Sequence, residues 1–183
     1  MGKEIYDFKG RDKLGQIGEA VCQEYLNIRS EIKDIENVRK NKEYQTKDID
    51  LVLTLKDENI IHIEVKTDSY RSGNLFYEWI ANDQTNEKGC MERTEADYIF
   101  YYFIHPEYRK VYTFKINQFR DWVHKHREEY KLKRVYNYGY CSFGYCFPLE
   151  VLEKEVQGLR IIDLNGLENI EWFEEQARKY WDK

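Results

Sequence analysis

The chain has 183 residues, enough for one globular domain with a sizeable core. With 42% hydrophobic residues and two prolines, its composition excludes wholesale disorder. The net charge of −5 excludes a uniformly basic nucleic-acid coat, yet the charge is unevenly distributed. Residues 1–47 carry +1, 48–104 carry −7, 105–135 carry +5 and 136–183 carry −4. Local field steers a polyanion more than net charge does. Acids crowd the middle of the chain and bases follow directly.

No apolar run reaches membrane-spanning length, and MGKEIYDFKGRDK lacks the apolar core of a secretory signal. The sixth residue is Tyr6 rather than Ser or Thr, which speaks against myristoylation. A cytoplasmic protein without a membrane segment is therefore expected. Cys22, Cys90, Cys141 and Cys146 form no CxxC pair and are expected to be reduced. A zinc site from Cys141, Cys146, His124 and His126 would have no standard spacing.

Residues 12–29 predict a helix, with Leu14, Ile17, Val21, Tyr25 and Ile28 on one apolar face. Gly15 and Gly18 cost about 1 kcal/mol each relative to Ala, so their presence implies a close backbone approach. Glu19 follows Gly18 and reads either as a surface acid or as a side chain delivered to a buried site. Residues 35–40 predict a short strand. DIDLVLTL and NIIHIEVKT predict two adjacent strands joined by the turn at 56–59, apolar enough for burial on both faces. A turn-rich loop is expected over 68–74, then a strand, LFYEWI, carrying Glu78.

Residues 82–95 predict a loop with a short helical turn. ADYIFYYFI and KVYTFKI predict paired strands around a turn at Pro106. Asn117 is expected to cap a helix, QFRDWVHKHREEYKL, and 134–148 to form strands or a hairpin, whose Tyr136, Tyr138, Tyr140, Phe143 and Tyr145 fit core packing better than stacking on nucleic-acid bases. Residues 151–156 predict a helical turn, RIIDL a strand and the last stretch a terminal helix. His62 reads as structural. His124 and His126 lie on different helix faces and form no metal pair.

Asp50 opens the first of the two central strands, and Glu64 and Lys66 close the second. Residues two apart on a strand share a face. A carboxylate from one strand can thus meet a carboxylate and an ammonium from the next. That set suits a hard divalent cation, a water and a phosphate. The Val65 carbonyl would add a third oxygen, and Glu19 a second metal position or a contact to the water shell. Asp48 rivals Asp50 as the acid, and Glu78 is a further candidate near the site. Lys125, Arg127, Lys131, Lys133 and Arg134 are candidate phosphate contacts, although a solvated helix face explains them about as well.

Through GQIGEAV, DIDLVL and IEVK the chain resembles the PD-(D/E)XK nuclease superfamily. Glu19, Asp50, Glu64 and Lys66 fall on that pattern in order, with Ile49 where the proline of the family name would stand. SGNLFYEW and TEADYIFYYF are similar to segments of phage and bacterial members, extending the resemblance over about 12–120. The resemblance implies an α/β fold with a restriction-endonuclease-like core, its central mixed sheet flanked by helices. It further implies one domain over 1–183, with 121–183 as a C-terminal elaboration. The activity implied is Mg²⁺-dependent cleavage, with Mn²⁺ as a substitute, of DNA ahead of RNA. A homodimer would supply two sites for cutting both strands. The contrasting expectation is a catalytically silent relative that binds nucleic acid or inhibits a protein partner.

Overall fold

The computed structural model describes residues 8–69, 72–105 and 108–181. The Met-Gly start with Tyr6, the turn at Pro106 and part of the loop expected over 68–74 lie outside the described residues. The fold is α/β, with a mixed central sheet flanked by helices.

Helix α1, Phe8–Asn27, buries Leu14, Val21, Cys22 and Leu26 along one stripe, with Ile17 and Tyr25 beside them. Ile28 does not join this stripe. The helix ends one residue earlier and the side chain is 67% exposed, although the apolar spacing in the sequence runs on. Strands β1 (Ile32–Asn37), β2 (Leu51–Leu55) and β3 (Ile60–Asp68) form an antiparallel meander, with a short helix α2 (Lys42–Gln45) between the first two. Burial on both faces does not hold for β2. Leu51 and Leu53 are buried, while Val52 and Thr54 on the other face are half-buried.

After β3 the chain leaves the central sheet. Strand β4 (Asn74–Asn82), the two-residue β5 (Glu87–Lys88) and helix α3 (Cys90–Arg93) precede β6 (Tyr98–Phe103), which returns parallel to β3. Strand β7 (Lys110–Lys115) pairs antiparallel with β6 and runs directly into helix α4 (Ile116–His126). Asn117 is therefore inside the helix rather than its cap. The capping position falls on Lys115, which makes no side-chain cap bond, and Asn117 Oδ1 accepts from Arg120 instead. The expected helix through Leu132 stops at His126, and Arg127–Glu129 form one turn of 3₁₀ helix.

The last third is woven into both sheets. Strands β8 (Lys133–Tyr136) and β9 (Cys141–Pro148) form a hairpin, and β9 pairs with β4, setting Leu75 opposite Phe147 and Tyr77 opposite Tyr145. Helix α5 (Leu149–Glu155) follows. Strand β10 (Arg160–Asp163) then closes the central sheet on β7, and α6 (Ile170–Trp181) lies against α1. The sheet orders are β1-β2-β3-β6-β7-β10 and β5-β4-β9-β8.

Strand β6 is the pivot because it is buried on both faces. Phe100 and Tyr102 point into the core under α1 and α6. Ile99, Tyr101 and Phe103 point into the opposite core, built with α4, α5, β4 and β9. Fully burying a side chain of this size contributes about 1.5–3 kcal/mol. The aromatic hairpin splits in two. Phe147 is in that second core, whereas Tyr138 at the hairpin tip is 84% exposed and Tyr136 is also exposed. Core packing therefore does not hold for those two tyrosines.

Candidate active site

The site is built on a mismatch in strand length. Strand β2 pairs with β3 only from Leu51 opposite Ile63 to Thr54 opposite Ile60, and β3 continues to Asp68. Beyond Ile63 one edge of β3 has no strand beside it among the described residues. Asp50 fills the first gap, since its backbone N–H still reaches Ile63 O at 2.9 Å and its Oδ2 accepts the Val65 N–H at 2.9 Å. The carboxylate is thereby pinned where the ladder opens.

Glu64 and Lys66 project from one face of β3, and Lys66 Nζ lies 2.7 Å from Glu64 Oε1. Glu64 is 5% exposed. Cys90 Sγ, at the start of α3, donates to the same Oε1 at 3.2 Å, and the Cys90 N–H donates to Glu78 Oε2 at 3.4 Å. Glu78 thus lies one residue removed from the site, on the second sheet. Gly89 permits this approach, because a Cβ there would sit 1.9 Å from the Glu78 carbonyl oxygen.

Glu19 reaches the same cleft from α1 and is 4% exposed. A contact as close as Gly18 against Thr67 lets the helix lie on β3. Arg39 bridges Glu19 and the exposed Asp12 through its two terminal nitrogens. A cleft of about 380 Å³ is lined by these groups, and its acids, Asp12, Glu19, Asp48, Asp50 and Glu64, outnumber Arg39 and Lys66. Asp48 is not on the strand. It has a φ of 49°, and Arg93 binds it with two contacts of 2.6 and 3.0 Å.

Burial pushes the Glu64 carboxyl up from 4.5 to about 8, with Asp50 adding to the rise and Lys66 opposing it. Burial and then Asp50 raise Glu19 to about 7, while Arg39 pulls the other way. Burial alone would lower the Lys66 ammonium. The Glu64 carboxylate beside it outweighs that and holds Lys66 well above the ordinary lysine range. In the metal-free chain Lys66 is thus a charged donor at neutral pH.

A carboxyl whose folded pKa exceeds its unfolded value makes the protein more stable below the unfolded value, and that stability is lost as pH rises through the folded one. In chelator, the melting temperature should therefore fall from pH 5 to 8.5, and Glu64→Gln should flatten the fall. Parallel pH profiles of the two proteins would contradict this assignment.

Two carboxylates converging on one cleft are a chemical fit for a hard cation, which neutralises the repulsion between them. Among the described residues, no three His, Cys, Asp or Glu side chains are grouped as ready metal ligands. An ion here would rest on Asp50, Glu64, a main-chain oxygen such as that of Val65, and water. Mg²⁺ commonly retains several waters in this way.

Of the basic candidates, none lines the cleft. Arg127 lies over the Trp79 ring at 4.2 Å, and Arg134 lies over Tyr136 while donating to Cys141 Sγ. Lys125, Lys131 and Lys133 are exposed. The zinc combination is not assembled, since His124 contacts Glu92 and His126 contacts Glu129. His62 sits by Asp97, as a structural residue would. Sequence patterning missed Arg39, Cys90 and Thr67. Only the glycines at 15 and 18 hinted that neighbours must come close, and this holds for Gly18 but not for Gly15, where a Cβ would meet Arg39 Nη1 no nearer than 3.7 Å.

The chain matches no family model and no curated protein. Among solved structures, the crystal structure of MepB is 17% identical with a TM-score of 0.25, covering 88% of this chain and 93% of that one. A likeness that slight carries no argument about function. Among the described residues, no helix is long and apolar enough to cross a membrane.

Proposed function

We propose that the protein is a Mg²⁺-dependent phosphodiesterase, and specifically a DNA endonuclease. The observation that carries this is the Asp50 carboxylate, pinned by the Val65 N–H beside the buried Glu64–Lys66 pair in one cleft with Glu19. The meander β1–β3 behind α1, followed by β6 parallel to β3, is the core we read as restriction-endonuclease-like.

Asp50, Glu64 and the Val65 carbonyl would hold Mg²⁺, which when bound supplies Lewis acidity and a more acidic water. The chain's own groups do the rest. Asp50 and Glu64 fix the position of the ion relative to the strand edge. Lys66, kept as an ammonium, orients the attacking water by hydrogen bonding and offsets charge on the phosphate. The excess of acids in the cleft repels a bare phosphodiester, so the cation is needed for binding as well as for chemistry.

The test is incubation of the purified chain with plasmid, single-stranded DNA and RNA in Mg²⁺, in Mn²⁺ and in chelator. Cleavage of DNA is expected with either ion and should vanish in chelator and in Asp50→Ala. If no substrate is cut, or if cutting persists in chelator, the proposal fails and the silent, nucleic-acid-binding alternative takes its place.

A further inference from the structure

We propose that Arg39 occupies the place of a second divalent cation, so that the site takes a single ion between Asp50 and Glu64. This rests on the metal-dependent reading above and specifies its stoichiometry. Glu19, Asp50 and Glu64 all line the same cleft. Left unpaired, Glu19 would be free to help hold a second cation. On the Glu19 side a cation is already built in. The Arg39 guanidinium contacts Glu19 through Nη1 and Asp12 through Nη2.

The arginine is positioned rather than loosely paired. Val38, before it, donates its N–H to Asp50 O at 2.9 Å, which ties this turn to Asp50 itself, one residue before β2. The Arg39 N–H donates to Asn37 Oδ1 at 3.2 Å, and Gln45 Nε2 donates to the Arg39 carbonyl at 2.7 Å. Both polar groups of its backbone are thus held by side chains. The side chain itself is 27% exposed against a Glu19 side chain that is 6% exposed. An arginine is always charged and presents a planar fork suited to two carboxylates. It therefore neutralises Glu19 permanently, whatever the metal concentration. Glu19 becomes a positioning residue for Arg39, and the positive charge it would otherwise recruit from solution comes from the chain.

The experiment counts bound Mn²⁺ by electron paramagnetic resonance of the full chain at pH 8 under argon, without nucleic acid. The wild type should bind one ion, and Arg39→Ala should bind two, with Glu19 released as a ligand. Glu19→Gln should still bind one ion, with its dissociation constant within about threefold of wild type. This variant keeps the proposal testable if Arg39→Ala does not fold. Asp50→Asn should bind none. Two ions on the wild type, or more than tenfold weaker binding by Glu19→Gln, would overturn the role of Arg39 and leave the metal-dependent reading standing. One ion on a folded Arg39→Ala would overturn it as well. No ion on the wild type would overturn both.

Discussion

Lys66→Met is expected to lower the rate of metal-dependent cleavage by about 10³-fold, the magnitude typical of losing a group that manages a proton or a charge in the transition state. Methionine keeps most of the aliphatic stem, so packing along β3 changes little. What disappears is the ammonium that lies 2.7 Å from Glu64 Oε1. Lys66 is held above the ordinary lysine range in the metal-free chain, and the contribution expected of it is that of the protonated form. The residual rate of the variant should not recover at higher pH, as it would if a neutral amine were the missing base.

Lys66→Arg is expected to fail nearly as badly. Its charge is kept, but a planar fork replaces a compact point charge beside a carboxylate that is 5% exposed. Mn²⁺ binding should persist in both variants, since neither changes Asp50 or the Glu64 carboxylate. Cleavage by Lys66→Met within tenfold of wild type would remove Lys66 from the chemistry.

How far the sequence could lead is clearest from individual residues. The Asp50, Glu64 and Lys66 cluster was legible because strand periodicity is local: two residues apart means one face, whatever the rest of the chain does. Strand β6 was legible as a strand because a β-rich aromatic run is bounded by Pro106, but its burial on both faces was not read from it. The second sheet was not legible. Leu75 opposite Phe147 is a pairing between strands some seventy residues apart, and no local signal records it.

Arg39 was hidden because one arginine in a run of charged residues carries no mark of the buried acid it will meet. Cys90 was hidden because a cysteine near a buried carboxylate looks like any apolar residue until α3 is folded against β4. The misplaced cap at Asn117 has a simple cause. A strand that runs directly into a helix leaves no separate turn for a side chain to cap, and β7 continues without a break into α4.

Gly18 supports a second expected result, this one in stability. A Cβ at Gly18 would lie 1.9 Å from Thr67 Oγ1 and 3.0 Å from Thr67 Cβ. A β-branched side chain on a strand cannot swing away as a long flexible one would, so α1 must move off β3. Alanine would otherwise favour the helix by about 1 kcal/mol over glycine. Against that gain, overpacking of this kind costs about 1–3 kcal/mol, and more when it displaces a whole element.

Gly18→Ala should therefore destabilise the protein by about 2 kcal/mol net, or roughly 5 °C in melting temperature for a chain of this size. Gly18→Val should be worse. Thr67→Ala alone should be nearly neutral. Its Oγ1 is buried and has no hydrogen-bond partner among the described residues, so deleting it removes an unsatisfied polar group. The double variant Gly18→Ala with Thr67→Ala should recover most of the loss, giving a coupling of about 2 kcal/mol in a double-mutant cycle. Because α1 delivers Glu19, the single variant should also weaken cleavage, and the double variant should restore it in step with stability. Additive effects of the two substitutions would show that α1 does not rest on Thr67 through this contact.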